Sequence, residues 1–413
     1  MGDRRVVITG VGVVTPLGSS IAATWDGLIA GHGAIRRITT FDPTPFDVQI
    51  GGECLDFDPA AHMEHRVTKR MDRFAQLGYA AGKMAMDDAG LTDGEYEPTR
   101  AGVIVGSGIG GLLELEQQHM RLLEKGPSRV SAFTIPKLMS NAAAGHLSIA
   151  FNCQGINTAV ATACASAASA MGDAFNAIRH NSMDLMLSGG AEAALTPLGL
   201  AAFSAMKALS TRNDAPEKAS RPFDKGRDGF ILSEGAGVLV FEELEHARQR
   251  GARIHAEVIG YGGTADAGDM VQPDPEGKGA GRAMAAALCD ARLNPDQVDY
   301  INTHGTSTPL GDIAEAVAIK NVFGSAVSKL AVSSTKSAIG HTLGASGGIE
   351  AAICIKALEH NAIPPTLNHD EVDPECAGLD YVPHTARDAR LSVVMKNSFG
   401  FGGHNACLIF RKL

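Results

Sequence analysis

The sequence predicts an α/β protein built from two duplicated halves, and three observations support this fold class. Apolar segments of strand length alternate with helical segments along the 413 residues, as in proteins whose sheets are covered by helices. The chain has 48 glycines, many of them in runs with Ala and Ser that allow elements to pack closely. The order of strands, turns and small-residue helices in the first part of the chain is repeated in the second.

Ten segments are apolar enough to form buried strands. In chain order, these strands are expected at residues 5–10, 101–105, 158–163, 185–188, 237–241, 256–261, 300–303, 329–333, 392–397 and 406–410. Longer segments between them have a helical pattern. These helices are expected at residues 68–89, 166–180, 279–291, 312–323 and 347–358.

The internal repeat is clearest at two strand ends. The strand expected at residues 101–105 leads into the turn GSGIGG, and the strand expected at residues 300–303 leads into HGTST. In each half, a further strand, a turn and a helix of small residues follow. We therefore expect an N-terminal half at residues 1–250, a C-terminal half at residues 251–413 and an insertion at about 110–140. The turns of both halves would then face one shared site.

Composition argues against several classes of protein. The formal net charge of −10 disfavours general nucleic-acid binding, and no apolar run approaches the roughly 18 residues of a membrane span. Residues 1–5 lead directly into a strand and lack the apolar core of a signal peptide. The seven cysteines have no CxxC spacing, so neither a disulfide framework nor a structural zinc site is expected. We expect a cytoplasmic protein without a bound metal.

Cys164 is the first candidate for chemistry. It lies in the segment TACASA, between an expected strand and a helix rich in Ala, Ser and Gly. At a helix N-terminus, unpaired N–H groups and the helix dipole stabilise a thiolate and an oxyanion. The alternative is a buried structural cysteine, which is the usual state of a free thiol. The other six cysteines lack this setting and are expected to be core residues.

Two histidines occupy similar turns in the second half. His304 follows a strand end in NTHGTSTPLGD, and His341 lies between small residues in KSAIGHTLGASGG, at the entry to a helix. Metal binding is the competing interpretation, but the chain has neither the HxH nor the HExxH spacing of a typical zinc site. Two neutral imidazoles instead offer two N–H donors to one developing enolate or oxyanion.

Glu350 falls within the apolar helix expected at residues 347–358. An unpaired carboxylate is costly there, so a cation is expected nearby. Lys336, in the turn that precedes this helix, is the expected partner, and the pair would fix the turn that carries His341. The alternative is a Glu350 side chain on an exposed helix face.

Three further segments are notable. NSFGFGGHN, at residues 397–405, places two phenylalanines among glycines and is a candidate for a mobile gate. The GSGIGG turn lacks the acidic residue that a dinucleotide fingerprint places about 20 positions later, so no nucleotide cofactor is expected. Four basic residues share one face if their segment is helical, and that face is either a docking patch for an acidic partner or an ordinary solvated surface. They are Arg66, Lys69, Arg70 and Arg73.

Taken together, these motifs resemble the elongating β-ketoacyl-acyl-carrier-protein synthases of the thiolase superfamily, most closely those of the synthase II type. The resemblance extends from VVITG at residues 6–10 to NSFGFGGHN, and it includes RPFDKGRDGF at residues 221–230 and SEGAG at residues 233–237. It implies a thiolase-like fold, with duplicated α/β halves in a layered αβαβα arrangement. It also implies a cytoplasmic homodimer of fatty acid biosynthesis that works with acyl- and malonyl-loaded acyl carrier protein and needs no cofactor.

The resemblance implies roles for the candidate residues. Cys164 would accept the acyl chain from the carrier protein. His304 and His341 would promote decarboxylation of malonyl-carrier protein, and the resulting carbanion would attack the acyl thioester. Lys336 would support the histidines, with Glu350 as its partner.

Further positions are implied for substrate and partner. The backbone N–H of Phe401 would form an acyl oxyanion hole with that of Cys164, and Phe401 would also gate malonyl access. Substrate-binding positions, including the acyl pocket, are implied at Ile109, Gly199, Phe203, Val271, Thr306, Thr308 and Phe399. Docking of the acidic carrier protein is implied at Arg66, Lys69, Arg70, Arg129 and Lys207.

Three positions depart from the family pattern. Val271 stands where a threonine is usual, His404 replaces a threonine common in the glycine loop, and Ser128 stands at an expected basic position. These departures leave the preferred acyl chain length open.

Related chemistries supply the alternatives. A thiolase needs a second reactive cysteine where this chain has His404, and an acetyl-CoA-primed synthase III has an asparagine where His341 stands. A non-catalytic chain-length partner lacks the nucleophile that Cys164 supplies. A polyketide or specialised-lipid ketosynthase with the same mechanism stays open.

Overall fold

The computed structural model describes residues 4–91 and 95–413. Residues 1–3, part of the N-terminal segment in which the sequence analysis found no signal-peptide pattern, lie outside the described residues. The strands are β1 (Val6–Val14), β2 (Arg36–Arg37), β3 (Ile50–Gly51), β4 (Ala101–Gly106), β5 (Asn157–Val160), β6 (Leu185–Glu192), β7 (Gly235–Glu243), β8 (Ala256–Ala265), β9 (Tyr300–Asn302), β10 (Ala331–Ser333), β11 (Ala362–Ile363), β12 (Arg387–Asp388), β13 (Val393–Gly400) and β14 (His404–Arg411).

The helices alternate with these strands along most of the chain. They are α1 (Ile21–Ile29), α2 (His65–Thr68), α3 (Arg73–Asp88), α4 (Leu112–Lys125), α5 (Thr134–Leu138), α6 (Ala142–Ala150), α7 (Ser166–Arg179), α8 (Pro197–Ala205), α9 (Leu244–Gln249), α10 (Lys278–Ala291), α11 (Pro309–Phe323), α12 (Lys336–Ile339) and α13 (Ser346–His360). In the predicted insertion at about 110–140, the structure has α4, α5 and a short 3₁₀ turn.

Ten strands form one mixed sheet, in the order β10-β9-β13-β14-β8-β1-β7-β6-β4-β5. Followed inward from its two edges, this sheet consists of β5-β4-β6-β7-β1 and β10-β9-β13-β14-β8, which join where β1 and β8 pair antiparallel. In each half the outer three strands are parallel and the inner pairs are antiparallel. This equivalence supports a duplication divided near residue 250, between β7 and β8, which we retain as a proposal.

Helices cover both half-sheets and fill the space between them. α3 and α6 pack on the N-terminal half-sheet, and α10 packs on β8 and β14 with α11 beside it. α7 and α13 contact each other and strands of both halves, so they form a middle layer. Small side chains such as Ala168, Ala351 and Ala352 are fully buried there, which allows the close packing. The chain therefore has the predicted α/β fold with αβαβα layering.

Each predicted strand and helix corresponds to an observed element, but one helix was predicted to begin too early. The helix expected at residues 68–89 begins at Arg73, because the Asp72 side chain accepts a hydrogen bond from the Phe74 N–H and caps α3 at that point. The short α2 ends at Thr68. The four basic residues from Arg66 to Arg73 therefore do not share the face of one helix.

Candidate active site

Cys164 lies in a tight turn between β5 and α7. The strand expected at residues 158–163 ends at Val160, and Ala163 opens a 3₁₀ turn, Ala163–Ala165, with a φ of +48°. That conformation is uncommon for a residue with a side chain. Cys164 is 7% exposed and lines a cavity of about 420 Å³. The backbone N–H groups of Cys164 and Phe401 are close enough to the sulfur to act on the pKa of the thiol.

The environment of Cys164 favours the thiol over the thiolate. Burial raises the pKa of Cys164 to about 12, although Lys336 and the two N–H groups act to lower it. The expected thiolate at a helix N-terminus is therefore not the resting state, because burial outweighs the helix end. A nucleophilic Cys164 must pass its proton to a neighbouring base as it reacts.

His304 and His341 both line the same cavity as Cys164. Their ring centroids are 5.3 Å apart, with the ring planes at 83°. Burial, together with the positive charge of Lys336, lowers the pKa of both imidazoles well below their usual 6.5. Both rings are therefore neutral at neutral pH. A neutral ring carries one N–H donor and one free nitrogen, so the pair can both accept a proton and donate hydrogen bonds.

Backbone contacts and a hydroxyl fix the orientation of His341. Its backbone N–H donates to the Ile231 carbonyl over 2.8 Å, and its ring Nδ1 lies 3.0 Å from the Ser346 Oγ. With Ser346 as the donor, the ring proton resides on Nε2. That tautomer leaves an N–H available on the side of the ring opposite α13.

Two buried acidic residues of α11 fix the turn that carries His304. Glu315, on α11, accepts hydrogen bonds from the N–H groups of His304 and Gly305 over 2.8 and 2.7 Å. Asp312, one turn earlier, accepts from the N–H groups of Thr306 and Ser307 over 3.0 and 3.2 Å. Burial raises the pKa of Asp312 to about 7.

These two acidic residues and Glu192 were missed by the sequence interpretation. Glu192, at the end of β6, accepts from the N–H groups of Gly108 and Gly344 over 2.7 and 3.2 Å. It therefore connects the GSGIGG turn to the segment that follows His341. The available signal was an acidic residue placed in, or just after, a segment of small apolar residues, where an unpaired carboxylate is costly.

Three charged side chains form a buried cluster beside the histidines. Lys336 Nζ lies 2.5 Å from Glu350 Oε1, and Lys396 Nζ lies 2.8 Å from Glu350 Oε2. Each of the three side chains is at most 1% exposed. The structure thus excludes an exposed Glu350. Lys396 was not predicted, although a lysine within the apolar strand VVMKNSF was a visible anomaly.

The C-terminal glycine segment is a β-hairpin, not the loop that its composition indicated. Gly400 pairs with His404 across β13 and β14, and Phe401 lies in the turn. A Cβ at Gly400 would lie 2.6 Å from the Thr162 carbonyl oxygen and 3.0 Å from the Cys164 nitrogen. Glycine at this position therefore allows the hairpin to approach the turn that carries Cys164.

The structure gathers most of the predicted substrate-binding residues around one cavity. Its lining includes Phe203, Val271, Thr306, Thr308, Phe399 and Phe401. Ile109 and Gly199 are not part of that lining. Ile109 is 39% exposed, with its N–H bound to Glu192. At Gly199, on α8, a Cβ would lie 2.1 Å from the Ala194 carbonyl oxygen, so glycine at this position allows close packing of the backbone.

The predicted docking residues lie at the surface. The exposed set is Arg66, Lys69, Arg70, Arg129 and Lys207, and Lys207 also lines the cavity. The Arg70 guanidinium lies over the Phe133 ring, 5.4 Å from its centroid. Arg73, which the helical pattern grouped with them, instead forms an ion pair with the buried Glu234 at 2.6 Å.

The remaining cysteines are free, and one of them was assigned wrongly. Cys289 is exposed, whereas a core position was expected for it. The other five outside the site are buried, as expected.

Within residues 4–91 and 95–413, no helix has both the length and the apolar character needed to cross a membrane.

Comparisons with known proteins agree on one family. The N-terminal domain of β-ketoacyl synthases matches residues 3–247, and their C-terminal domain matches residues 255–370. A 3-oxoacyl-[acyl-carrier-protein] synthase 2 of Coxiella burnetii is 48% identical over 413 residues, covering 100% of both chains.

Two solved structures are also similar over 100% of both chains. The ishigamide ketosynthase/chain length factor has a TM-score of 0.94 and 36% identity. A ketosynthase of a type II polyketide synthase, in complex with its acyl-carrier protein and bound to a hexaketide, has a TM-score of 0.93 and 31% identity.

Proposed function

The chain belongs to the β-ketoacyl synthase family, and from this premise we propose the route by which it acts as an elongating 3-oxoacyl-[acyl-carrier-protein] synthase, with Cys164 as the nucleophile. It is a condensing enzyme of the acyltransferase class, and its product enters fatty acid biosynthesis. One observation carries the assignment of the site. A buried thiol, two neutral imidazoles and the Phe401 backbone N–H meet at one cavity.

In the first step, the acyl chain moves from its carrier to the enzyme. The thiol of Cys164 gives its proton to a neutral imidazole as sulfur attacks the acyl thioester carbonyl. The oxyanion of the tetrahedral intermediate accepts hydrogen bonds from the N–H groups of Cys164 and Phe401, the two donors that the sulfur now contacts. The carrier thiolate then leaves and takes up the proton, so an acyl-Cys164 thioester and free carrier protein remain.

In the second step, malonyl-carrier protein supplies two carbons. Loss of CO₂ leaves an enolate, whose oxygen accepts hydrogen bonds from the N–H groups of His304 and His341. The enolate carbon attacks the acyl thioester on Cys164, the new C–C bond forms, and sulfur leaves as the thiolate. A proton from solvent then restores the Cys164 thiol, and a 3-oxoacyl-carrier protein is released.

Lys336 supports both steps without contacting the reacting atoms. Its charge lowers the pKa of both imidazoles, which keeps the rings neutral. It also lowers the pKa of the Cys164 thiol, which stabilises the negative charge that forms on sulfur. The ion pair with Glu350 holds the lysine within the site.

We further propose that an acidic acyl carrier protein docks on the exposed basic residues. Lys207 both belongs to that set and lines the cavity, which connects the proposed docking surface to the site. Opposite charges steer such encounters and speed association. A related ketosynthase is known in complex with its acyl-carrier protein.

A homodimer is supported by the free edge of the sheet. β5 is an edge strand whose outer side pairs with no other strand in the described residues, and Asn157 and Thr158 on it are exposed. Ile149, on the helix α6 that packs against β5, is an apolar side chain that is 81% exposed. A second copy that pairs along β5 would cover the unpaired strand and these side chains.

A polyketide ketosynthase is the second candidate, because one of the two solved structures described above is a ketosynthase of a type II polyketide synthase. The higher identity to a 3-oxoacyl-[acyl-carrier-protein] synthase 2 favours fatty acyl substrates. A non-catalytic chain-length partner is disfavoured by the presence of Cys164.

The decisive experiment follows the acyl group. The protein is incubated with acyl-carrier protein, its intact mass is measured, and malonyl-carrier protein is then added. We expect an acyl adduct on Cys164 that disappears as a 3-oxoacyl product forms. Cys164→Ala should give neither adduct nor product, whereas the exposed-cysteine control Cys289→Ala should give both. An adduct that never yields product, or product from Cys164→Ala, would contradict the proposal.

A further inference from the structure

Lys396 is a charged residue in the middle of a buried strand. On β13 it is in register with Asn302 of β9 and Leu408 of β14, and its side chain is fully buried. Lysine is rarely buried without a partner, because removing an ammonium ion from water costs several kcal/mol. The position therefore needs compensating contacts.

Three oxygen atoms provide those contacts. The ammonium donates to the Asn397 carbonyl oxygen and to the Ser398 Oγ, the latter over 3.1 Å. It also lies 2.8 Å from Glu350 Oε2, an ion-pair contact without hydrogen-bond geometry. The ammonium of Lys396 thus faces one oxygen of Glu350, while the ammonium of Lys336 faces the other.

The contacts of the two nearby carboxylates, Glu315 and Glu350, indicate which of them depends more on Lys396. Glu315 accepts hydrogen bonds from the N–H groups of His304 and Gly305 and from the amide of Asn397. Burial raises the pKa of Glu315, and each of these three hydrogen bonds opposes that rise more than the charge of Lys396 does. Among the residues that the structure describes, Glu350 is compensated only by the two ammonium groups, of which Lys336 donates a hydrogen bond and Lys396 forms an ion pair. The charge of Lys396 also acts on the thiols of Cys354 and Cys407, and burial keeps the pKa of both raised.

We propose that Lys396 is a positioning residue for the decarboxylation step, through Glu350 and Lys336. Lys396 pairs with the second oxygen of Glu350, so the carboxylate does not neutralise Lys336 alone. The cluster of two lysines and Glu350 then carries a net positive charge beside His304 and His341. This inference rests on the proposed function.

The electrostatics of the site agree with this geometry. After burial and the charge of Lys336, the charge of Lys396 contributes to the lowered pKa of both imidazoles. A positive cluster also stabilises the enolate that decarboxylation produces. The pKa of the Cys164 thiol depends on burial first, then on Lys336, Glu192 and two backbone N–H groups. Loss of Lys396 should therefore affect decarboxylation more than acyl transfer to Cys164.

The test compares the two half-reactions in Lys396→Met, which keeps a long apolar side chain and removes the charge. Acylation is followed by intact mass, and CO₂ release from malonyl-carrier protein is followed as a function of pH. A matched control is Lys356→Met, because Lys356 forms an ion pair with Glu359 at 2.5 Å outside the site.

We expect CO₂ release by Lys396→Met to fall by about tenfold, with its acid limb shifted to higher pH and acylation within about twofold of wild type. Lys396→Arg should recover part of the rate, and Lys356→Met should behave as wild type. An unchanged rate and pH profile in a folded Lys396→Met would overturn the inference, while an active wild type would leave the proposed function intact.

Circular dichroism distinguishes a folding defect of Lys396→Met from a specific loss of activity. If Lys396→Met does not fold, Lys396→Gln repeats the comparison, because its amide can still donate to Asn397 and Ser398 without a charge. Failure of both neutral variants to fold would overturn the inference in favour of a purely structural role.

Discussion

The imidazole rings of His304 and His341 lie 5.3 Å apart at 83° to each other, although 36 positions separate them in the chain. His304 follows β9 and His341 follows α12, so the edge-on arrangement depends on how these two segments pack. Neither ring is charged, and both face the cavity that Cys164 lines. We propose that this pair allows one site both to accept the thiol proton and to stabilise an enolate.

Replacement of either histidine should separate the two half-reactions. His304→Ala and His341→Ala each remove one N–H donor to the enolate, so CO₂ release from malonyl-carrier protein should fall by about a hundredfold or more. Acylation of Cys164 should persist in at least one of the two variants. His32→Ala, at an exposed histidine, is the control. Wild-type CO₂ release in either site variant would remove that histidine from the mechanism.

The pH dependence of CO₂ release should show the lowered pKa of the imidazoles. Since burial and Lys336 lower both pKa values, the rings stay neutral as the pH falls through 6.5, and the rate should stay level there. It should decline only at lower pH, as the rings become protonated. Rates measured at constant ionic strength, with circular dichroism at each pH, test this. An acid limb centred at 6.5 or above would contradict neutral rings.

Gly400→Ala should disable the site while the fold survives. The new Cβ would meet the Thr162 carbonyl oxygen at 2.6 Å and the Cys164 nitrogen at 3.0 Å, so the hairpin must move away from the Cys164 turn. A displacement of about 1 Å costs up to a hundredfold in rate, and kcat/KM for condensation should fall accordingly. Gly145→Ala, where a Cβ meets nothing within 4 Å, should retain full activity. Equal activity of the two variants would refute the close-approach argument.

Phe203 should limit the length of the acyl chain. Its ring lines the cavity and contacts Phe230 edge-on at 5.5 Å. Phe203→Ala enlarges the cavity, so kcat/KM should shift toward longer acyl-carrier substrates by about tenfold relative to short ones. A series of acyl chains, assayed with wild type and variant, measures this shift. An unchanged preference would place the end of the acyl pocket elsewhere.

Charge reversal at the proposed docking surface should weaken carrier binding without affecting the chemistry. Lys69→Glu should raise KM for acyl-carrier protein by about threefold to tenfold and leave kcat near wild type. Higher salt should reduce the difference between variant and wild type, because it screens exposed charges. Lys329→Glu, at an exposed lysine outside the proposed surface, should leave KM unchanged. A raised KM in both variants would indicate a general charge effect.

Much of the site could be predicted because its residues lie in distinctive local segments. A strand that ends in a turn of small residues positions a side chain at the edge of a sheet, and Cys164 and His304 have that context after β5 and β9. His341 differs, because the short helix α12 lies between β10 and its turn. The pairing of Glu350 with Lys336 followed from the cost of an isolated buried carboxylate. The misplaced start of α3 shows the limit of periodicity, because the Asp72 cap interrupts a basic pattern that would otherwise continue.

The sequence by itself was enough to predict the α/β fold class, the ten strands of the large sheet, five of the helices, the family and the candidate site residues, because apolar periodicity and turn composition are local properties. Only the tertiary structure decided the protonation states and the contacts that govern them. Cys164 holds its proton because distant segments bury it, and Lys396 reaches Glu350 because β13 passes beside α13. Burial and charge proximity depend on residues far apart in the chain, so their effects cannot be obtained from local patterns.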